Sequence, residues 1–124
     1  MEDYFPEKWR KILQHNNLDT FESLWDHEAQ WFEEPNKRRG GWSGVCRCEL
    51  DSPDGGKVYI FRKTQENHTS RTFRHPFGIS TFAREMQVIL RFKKAGIPSL
   101  EPVYFAIRNI DGNERAILCT EALD

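Results

Sequence analysis

Long hydrophobic runs are missing from this chain. No stretch approaches the ~20 apolar residues of a membrane span, and the acidic start Met1-Glu2-Asp3-Tyr4 has no apolar signal core. The chain therefore reads as cytoplasmic, with a peripheral place at a membrane left open. A charge excess is missing too. The 18 Lys and Arg against 19 Asp and Glu leave a net charge of -1, which removes bulk attraction to nucleic acid. Cysteine is scarce: Cys46, Cys48 and Cys119 form an odd set, and Cys-x-Cys with no second pair is neither a disulfide framework nor a zinc signature. If Cys46 and Cys48 lie on a strand they share a face, as small core residues. There is no internal repeat, low-complexity tract or linker, and 124 residues suit one domain able to bury roughly two-thirds of its unfolded surface.

What is present begins with helical signals. Asp3 is a candidate cap for Pro6-Glu7-Lys8-Trp9-Arg10-Lys11-Ile12-Leu13, and Asp19-Thr20-Phe21-Glu22 offers a second start with an acid three residues after a capping acid. Phe21, Leu24, Trp25 and Phe32 follow at near-helical spacing, and Pro35 is expected to end that segment.

Beyond Gly44 the pattern changes to strands joined by turns. Val45 to Leu50 and Lys57 to Lys63 flank Asp51-Ser52-Pro53-Asp54-Gly55-Gly56, and residues 102–107 and 115–119 flank a second Asp-Gly bend at Asp111-Gly112. Between them one helix is clearly marked. Ser80 or Thr81 can cap it, Phe82, Met86, Ile89 and Leu90 form its apolar stripe, Lys93 and Lys94 suit its carboxyl end, and Gly96 with Pro98 stops it. The expected fold is α+β, a four- to five-stranded antiparallel sheet with one packed helix, preceded by a helical extension over residues 1–34. A long loop, Thr64 to Ile79, carries Arg71, Arg74 and His75, which either meet phosphate groups or form an ordinary solvated loop.

Glu85 is the informative charge. At 100° per residue it projects between Ile89 and Phe92, at the edge of the stripe, where a carboxylate needs a partner. Alternation along Val58-Tyr59-Ile60-Phe61-Arg62-Lys63 puts Phe61 and Lys63 on one face, and a helix lying over that face brings Lys63 toward Glu85. The alternative is a partly exposed Glu85 paired with Arg62 or with nothing. Gly40-Gly41-Trp42-Ser43-Gly44 is either a plain turn or a loop whose backbone N–H groups cover phosphates while Lys63 approaches them.

Together Arg38-Arg39-Gly40-Gly41-Trp42-Ser43-Gly44, Lys63-Thr64-Gln65-Glu66-Asn67-His68, Thr81-Phe82-Ala83-Arg84-Glu85 and residues 96–105 resemble the InaA-like branch of the lipopolysaccharide kinase (Kdo/WaaP) family. The resemblance implies a protein-kinase-like amino-terminal lobe over residues 35–124 ending at the hinge. It also implies a full-length activity that phosphorylates lipopolysaccharide core sugars with ATP and magnesium, a branch linked to acid stress, and a carboxyl-terminal lobe as partner. By resemblance Lys63 binds the α and β phosphates, Glu85 holds Lys63, and Gly41 and Gly44 line the phosphate loop.

Three departures qualify this. Against G-x-G-x-x-G-x-V the first glycine is Arg39 and the valine is Cys46, and against V-A-I-K the small alanine is Phe61, whose ring would crowd the adenine slot. No H-R-D or D-F-G sequence occurs in the 124 residues, so the chain itself is expected to hold no catalytic base or metal ligands and to be inactive or to bind nucleotide weakly. The competing reading is a non-catalytic stress-response module that recognises a protein partner or an anionic glycolipid.

Overall fold

The computed structural model describes residues 3–29, 31–38, 41–67, 69–70, 79–96 and 100–122. Two amino-terminal helices, α1 (Glu7–His15) and α2 (Phe21–Asp26), precede strands β1 (Trp31–Arg38), β2 (Gly41–Asp51) and β3 (Lys57–Glu66). Two short paired strands, β4 (Thr69–Ser70) and β5 (Ile79–Ser80), lead into α3 (Thr81–Lys94), and β6 (Pro102–Ile110) and β7 (Asn113–Glu121) complete the chain. The main sheet is antiparallel, five-stranded and ordered β1-β2-β3-β7-β6. This is the α+β arrangement expected of a kinase-like amino-terminal lobe.

Both hairpins turn where Asp-Gly occurs, because each turn needs positive φ. Gly55 has φ +98°, and the β2–β3 bend is closed by Ser52 N–H donating to the Gly56 carbonyl at 2.8 Å. At the β6–β7 bend Asp111 (φ +52°) and Gly112 (φ +83°) form a two-residue turn with both central residues left-handed, the geometry that matches strand twist. The strands run longer than the sequence pattern suggests, since backbone pairing continues through polar residues that carry no hydrophobic signal.

The sheet is covered on both faces. On one, Trp9, Leu13, Phe21 and Leu24 of α1 and α2 pack with Cys46, Cys48, Ile60, Val103, Ile117 and Cys119. On the other, Ala83, Met86 and Ile89 of α3 pack with Phe105, Ala116 and Leu118. The three thiols are buried as expected, and burial raises the Cys48 pKa to about 11 and pushes Cys119 up as well. Leu90 is partly buried against the second cluster, Arg91, Lys93 and Lys94 fill the last turn of α3, and Gly96 follows at φ +75°. The side chains of the proposed caps Ser80 and Thr81 and of Phe82, and the terminator Pro98, lie outside what is described.

Three local expectations need correction. Asp3 does not cap α1, whose N-cap is Pro6; its carboxylate instead takes two hydrogen bonds from Arg108, at 2.8 and 2.6 Å. Asp19 does not cap α2. Thr20 does, in a reciprocal box with Ser23, because the Thr20 hydroxyl accepts from the Ser23 N–H at 3.1 Å. Phe32 and Pro35 belong to β1 rather than to a helix and its end. Proline is tolerated there because β1 is an edge strand, and its register to β2 slips between Glu33 and Asn36.

The amino-terminal segment ties the layers together. Tyr4 exchanges backbone hydrogen bonds with Phe105 at 2.8 and 2.9 Å, its hydroxyl meets Lys93 Nζ at 3.3 Å, and Asp3 holds Arg108.

Two outcomes follow from these contacts. Gly112→Ala forces a methyl group into a left-handed position and is expected to lower stability by about 1 kcal/mol or more, whereas Gly56→Ala, which meets only ordinary contact, should be near neutral; urea unfolding of both variants measures the difference. The hydrogen bonds from Arg108 lower the Asp3 pKa. A carboxylate lowered on folding adds stability above its unfolded pKa and loses it as pH falls, so Arg108→Ala should cost ~0.2–1 kcal/mol at pH 7 and progressively less below pH ~4 in paired melts.

Candidate functional site

Strand β3 is hydrogen-bonded to β2 on one side and β7 on the other, so its side chains alternate between two covered faces. Ile60, Arg62 and Thr64 are buried on the α1–α2 side, and Phe61 and Lys63 are half-buried on the α3 side. Helix α3 is fixed over that second face by Ala83, Met86 and Ile89. Glu85 precedes Met86 and so sits at the edge of the contact, with its carboxylate turned toward the sheet. There Lys63 Nζ donates to Glu85 Oε1 at 2.6 Å. The two side chains keep 21% and 33% of their surface exposed. The pair is thus held by packing of both elements yet reachable from solvent, and a pair this accessible adds little to stability. Its significance is the position it gives the ammonium.

Arg62 is not an alternative partner for Glu85. It points to the opposite face, where its guanidinium donates to the Leu24 and His27 carbonyls and to Cys46 Sγ.

Register settles what surrounds Lys63. Val45 lies directly opposite it on β2 and Leu118 on β7; Phe61 lies opposite Arg47 and Thr120. Partners opposite each other in an antiparallel pair share a face. Val45, Phe61, Leu118 and Thr120 therefore line the same face as Lys63. The spacing after Gly44 assigns the valine slot of the phosphate loop to Cys46, but Cys46 is buried on the other face under Arg62. Val45, one residue earlier, is the residue that shares the lysine face. Thr120 is 1% exposed and its hydroxyl finds no hydrogen-bond partner among the described residues, an unusual condition for a buried polar atom. Neither residue is a site candidate on the sequence alone. Val45 needs the β2–β3 register and Thr120 the β3–β7 register.

Gly41 opens β2 opposite Arg38 of β1, and Gly44 is buried in β2 opposite Thr64. Both glycines thus lie on the strand rather than in a loop, and Gly40 falls outside the described residues. Arg71, Arg74 and His75 also lie outside them. Among the described residues no group of three or more His, Cys, Asp or Glu side chains could hold a metal ion, and no helix is long and apolar enough to cross a membrane.

Residues 22–124 match the model of the lipopolysaccharide kinase (Kdo/WaaP) family. The chain is also 40% identical over 103 residues to Protein InaA of Escherichia coli (strain K12), an alignment covering 83% of this chain and 45% of that protein. The chain thus spans less than half the length of that relative. No solved structure matches it. On the family match, which takes in the Lys63–Glu85 pair and the strands that carry it, this chain belongs to the lipopolysaccharide kinase (Kdo/WaaP) family.

Proposed function

We propose that the chain is the nucleotide-side lobe of an ATP-dependent kinase acting on lipopolysaccharide core sugars, and that it transfers no phosphate alone. The observation that carries this reading is the 2.6 Å contact between Lys63 and Glu85. A lysine ammonium has three donors. Glu85 takes one of them and fixes the direction of the rest. On this reading the remaining donors meet the α and β phosphates of ATP, while the backbone of β2 around Gly41 and Gly44 approaches the same phosphates.

Val45 and Phe61 share the lysine face and form the apolar surface against which an adenine ring would lie. The unpartnered hydroxyl of Thr120, opposite Phe61, is a polar group suited to the base edge. Phe61 is half-buried and occupies the position where a small residue would leave more room. Magnesium bound with the nucleotide neutralises phosphate charge. Its ligands and the catalytic base would come from the part of the longer relatives that this chain does not cover, as would the acceptor-binding surface. Catalysis by positioning needs groups from both sides of the nucleotide.

The experiment is a nucleotide titration followed by amide shifts, alongside an assay with ATP, magnesium and lipopolysaccharide core acceptors. Half a cleft leaves much of the nucleotide in water, so a Kd on the order of millimolar, about -4 kcal/mol, is expected. Lys63→Ala should weaken it about tenfold, and Glu85→Gln should weaken it less, because it removes only the anchor. Unchanged binding in Lys63→Ala overturns the reading. The assay should show no product above background, and turnover abolished by Lys63→Ala would overturn the claim that this lobe is inactive alone. Phe61→Ala separates two roles for the ring. Tighter binding means it obstructs the base; a melt lowered by a core-like ~3–5 kcal/mol with binding unchanged assigns it to packing.

A further inference from the structure

The sheet face away from Lys63 and Glu85 carries a second concavity. Of the four tryptophans in the chain, Trp25, Trp31 and Trp42 line one cavity of about 260 Å³. The fourth, Trp9, is an ordinary core residue, 2% exposed with its indole N–H donated to Glu101 at 3.1 Å. Trp25 and Trp42 are partly buried, with the Arg115 guanidinium 4.9 Å over the Trp25 ring, and Trp31 is the open one. Trp31 is 38% exposed, and the rings of Trp25 and Trp42 stand 5.5 Å apart at 49°, with Phe21 stacked behind Trp25 at 5.9 Å. Leaving the Trp31 indole exposed beside an open cavity forgoes the burial that normally stabilises such a ring.

The polar lining is of mixed character. Arg62 is 3% exposed and takes part in none of the ion pairs among the described residues. Its terminal nitrogens are engaged by the Leu24 and His27 carbonyls and Cys46, while its Nε is buried without a partner. Thr64 is buried beside it on β3, and exposed Glu28 lies at the rim. His27 also lines the cavity. Burial, and then the charge of Arg62, lowers its pKa, so it is neutral at pH 7 and offers a donor and an acceptor rather than a second charge.

These groups discriminate between ligand classes. A quaternary ammonium suits an aromatic cage, but a buried guanidinium in the wall repels it with little screening. An anion would be drawn to Arg62 but would pass the Glu28 carboxylate, and the terminal guanidinium nitrogens are already occupied. An uncharged polyol meets neither objection, because each hydroxyl both donates and accepts. It can donate to Glu28 and accept from Thr64 or His27. A pyranose ring adds apolar C–H faces suited to the indoles of Trp31 and Trp42, Trp25 being already covered by Phe21 and Arg115, and the cavity is below the ~300 Å³ of a drug-sized pocket, which suits one ring.

We propose that the cavity framed by Trp25, Trp31 and Trp42 is a saccharide-binding site for a single uncharged pyranose unit, on the opposite side of the sheet from Lys63 and Glu85. It stands independently of the nucleotide reading, since no residue is shared between the two sites.

The test follows the indole N–H signals and tryptophan emission of the whole 124-residue chain during titration with the methyl α-glycosides of glucose, galactose and mannose. At least one should give saturable shifts of the three cavity indoles, with Kd on the order of millimolar. Trp31→Ala, at the most exposed of the three tryptophans, should weaken binding about fivefold or more, as should Glu28→Gln. Lys63→Ala should bind the glycoside like the parent. The proposal is overturned if none of the three glycosides saturates up to ~100 mM, if tetramethylammonium or acetate perturbs the same indoles at lower concentration, if folded Trp31→Ala binds unchanged, or if Lys63→Ala abolishes glycoside binding.

Discussion

Strand β3 is paired on both edges and covered on both faces, and this double confinement organises the molecule. A strand in that position cannot choose where its side chains go, since each successive residue is committed to the opposite layer. Arg62 and Lys63 are adjacent cations in sequence, yet one is buried against the carbonyls ending α2 and the other meets Glu85. A register slip of one residue would exchange them, placing an arginine against α3 and a lysine under α2 with no helix-end carbonyls matched to its shape. The candidate nucleotide face and the tryptophan cavity are the two sides of the same strand.

The second constraint is that α3 must stay where Glu85 can reach. A 2.6 Å contact survives only if helix and sheet move as one body. Met86, Ile89 and Ala83 supply the apolar seat against Phe105, Ala116 and Leu118, and Tyr4 reinforces it by pairing with Phe105 and reaching Lys93. The amino-terminal segment is therefore tied to both the sheet and α3. Residues that look like a loosely attached extension pair with the edge of β6 at Phe105, as well as covering the far face through α1 and α2.

The tryptophan cavity and the Lys63 face illustrate how aromatic residues mislead a linear reading. Phe21, Leu24, Trp25 and Phe32 fit a helical spacing, but the helix ends at Asp26 and β1 starts at Trp31. Trp25 and Trp31 consequently come from different elements, and Trp42 from a third, so their convergence has no signature in spacing. The valine slot fails for a related reason. Motif counting after Gly44 selects Cys46, while pairing to Lys63 selects Val45, because face is fixed by register to a neighbour and not by distance along one's own strand.

What the sequence determined by itself was what depends on short-range physics. Asp54-Gly55 and Asp111-Gly112 must turn because few other dipeptides accept those dihedrals. Met86, Ile89 and Leu90 mark the buried stripe of α3 by period alone. Cys46 and Cys48 share a strand face, and Glu85 at the edge of an apolar stripe requires a partner. The tertiary structure decided everything that requires two elements to be placed together. It chose Lys63 over Arg62 as the partner of Glu85, gave Asp3 to Arg108 instead of to a helix cap, put Pro35 on an edge strand, and set Thr120 beside Phe61. Each of those outcomes depends on strand register and layer packing, which arise from cooperative burial across the whole sheet and leave no local trace in the chain.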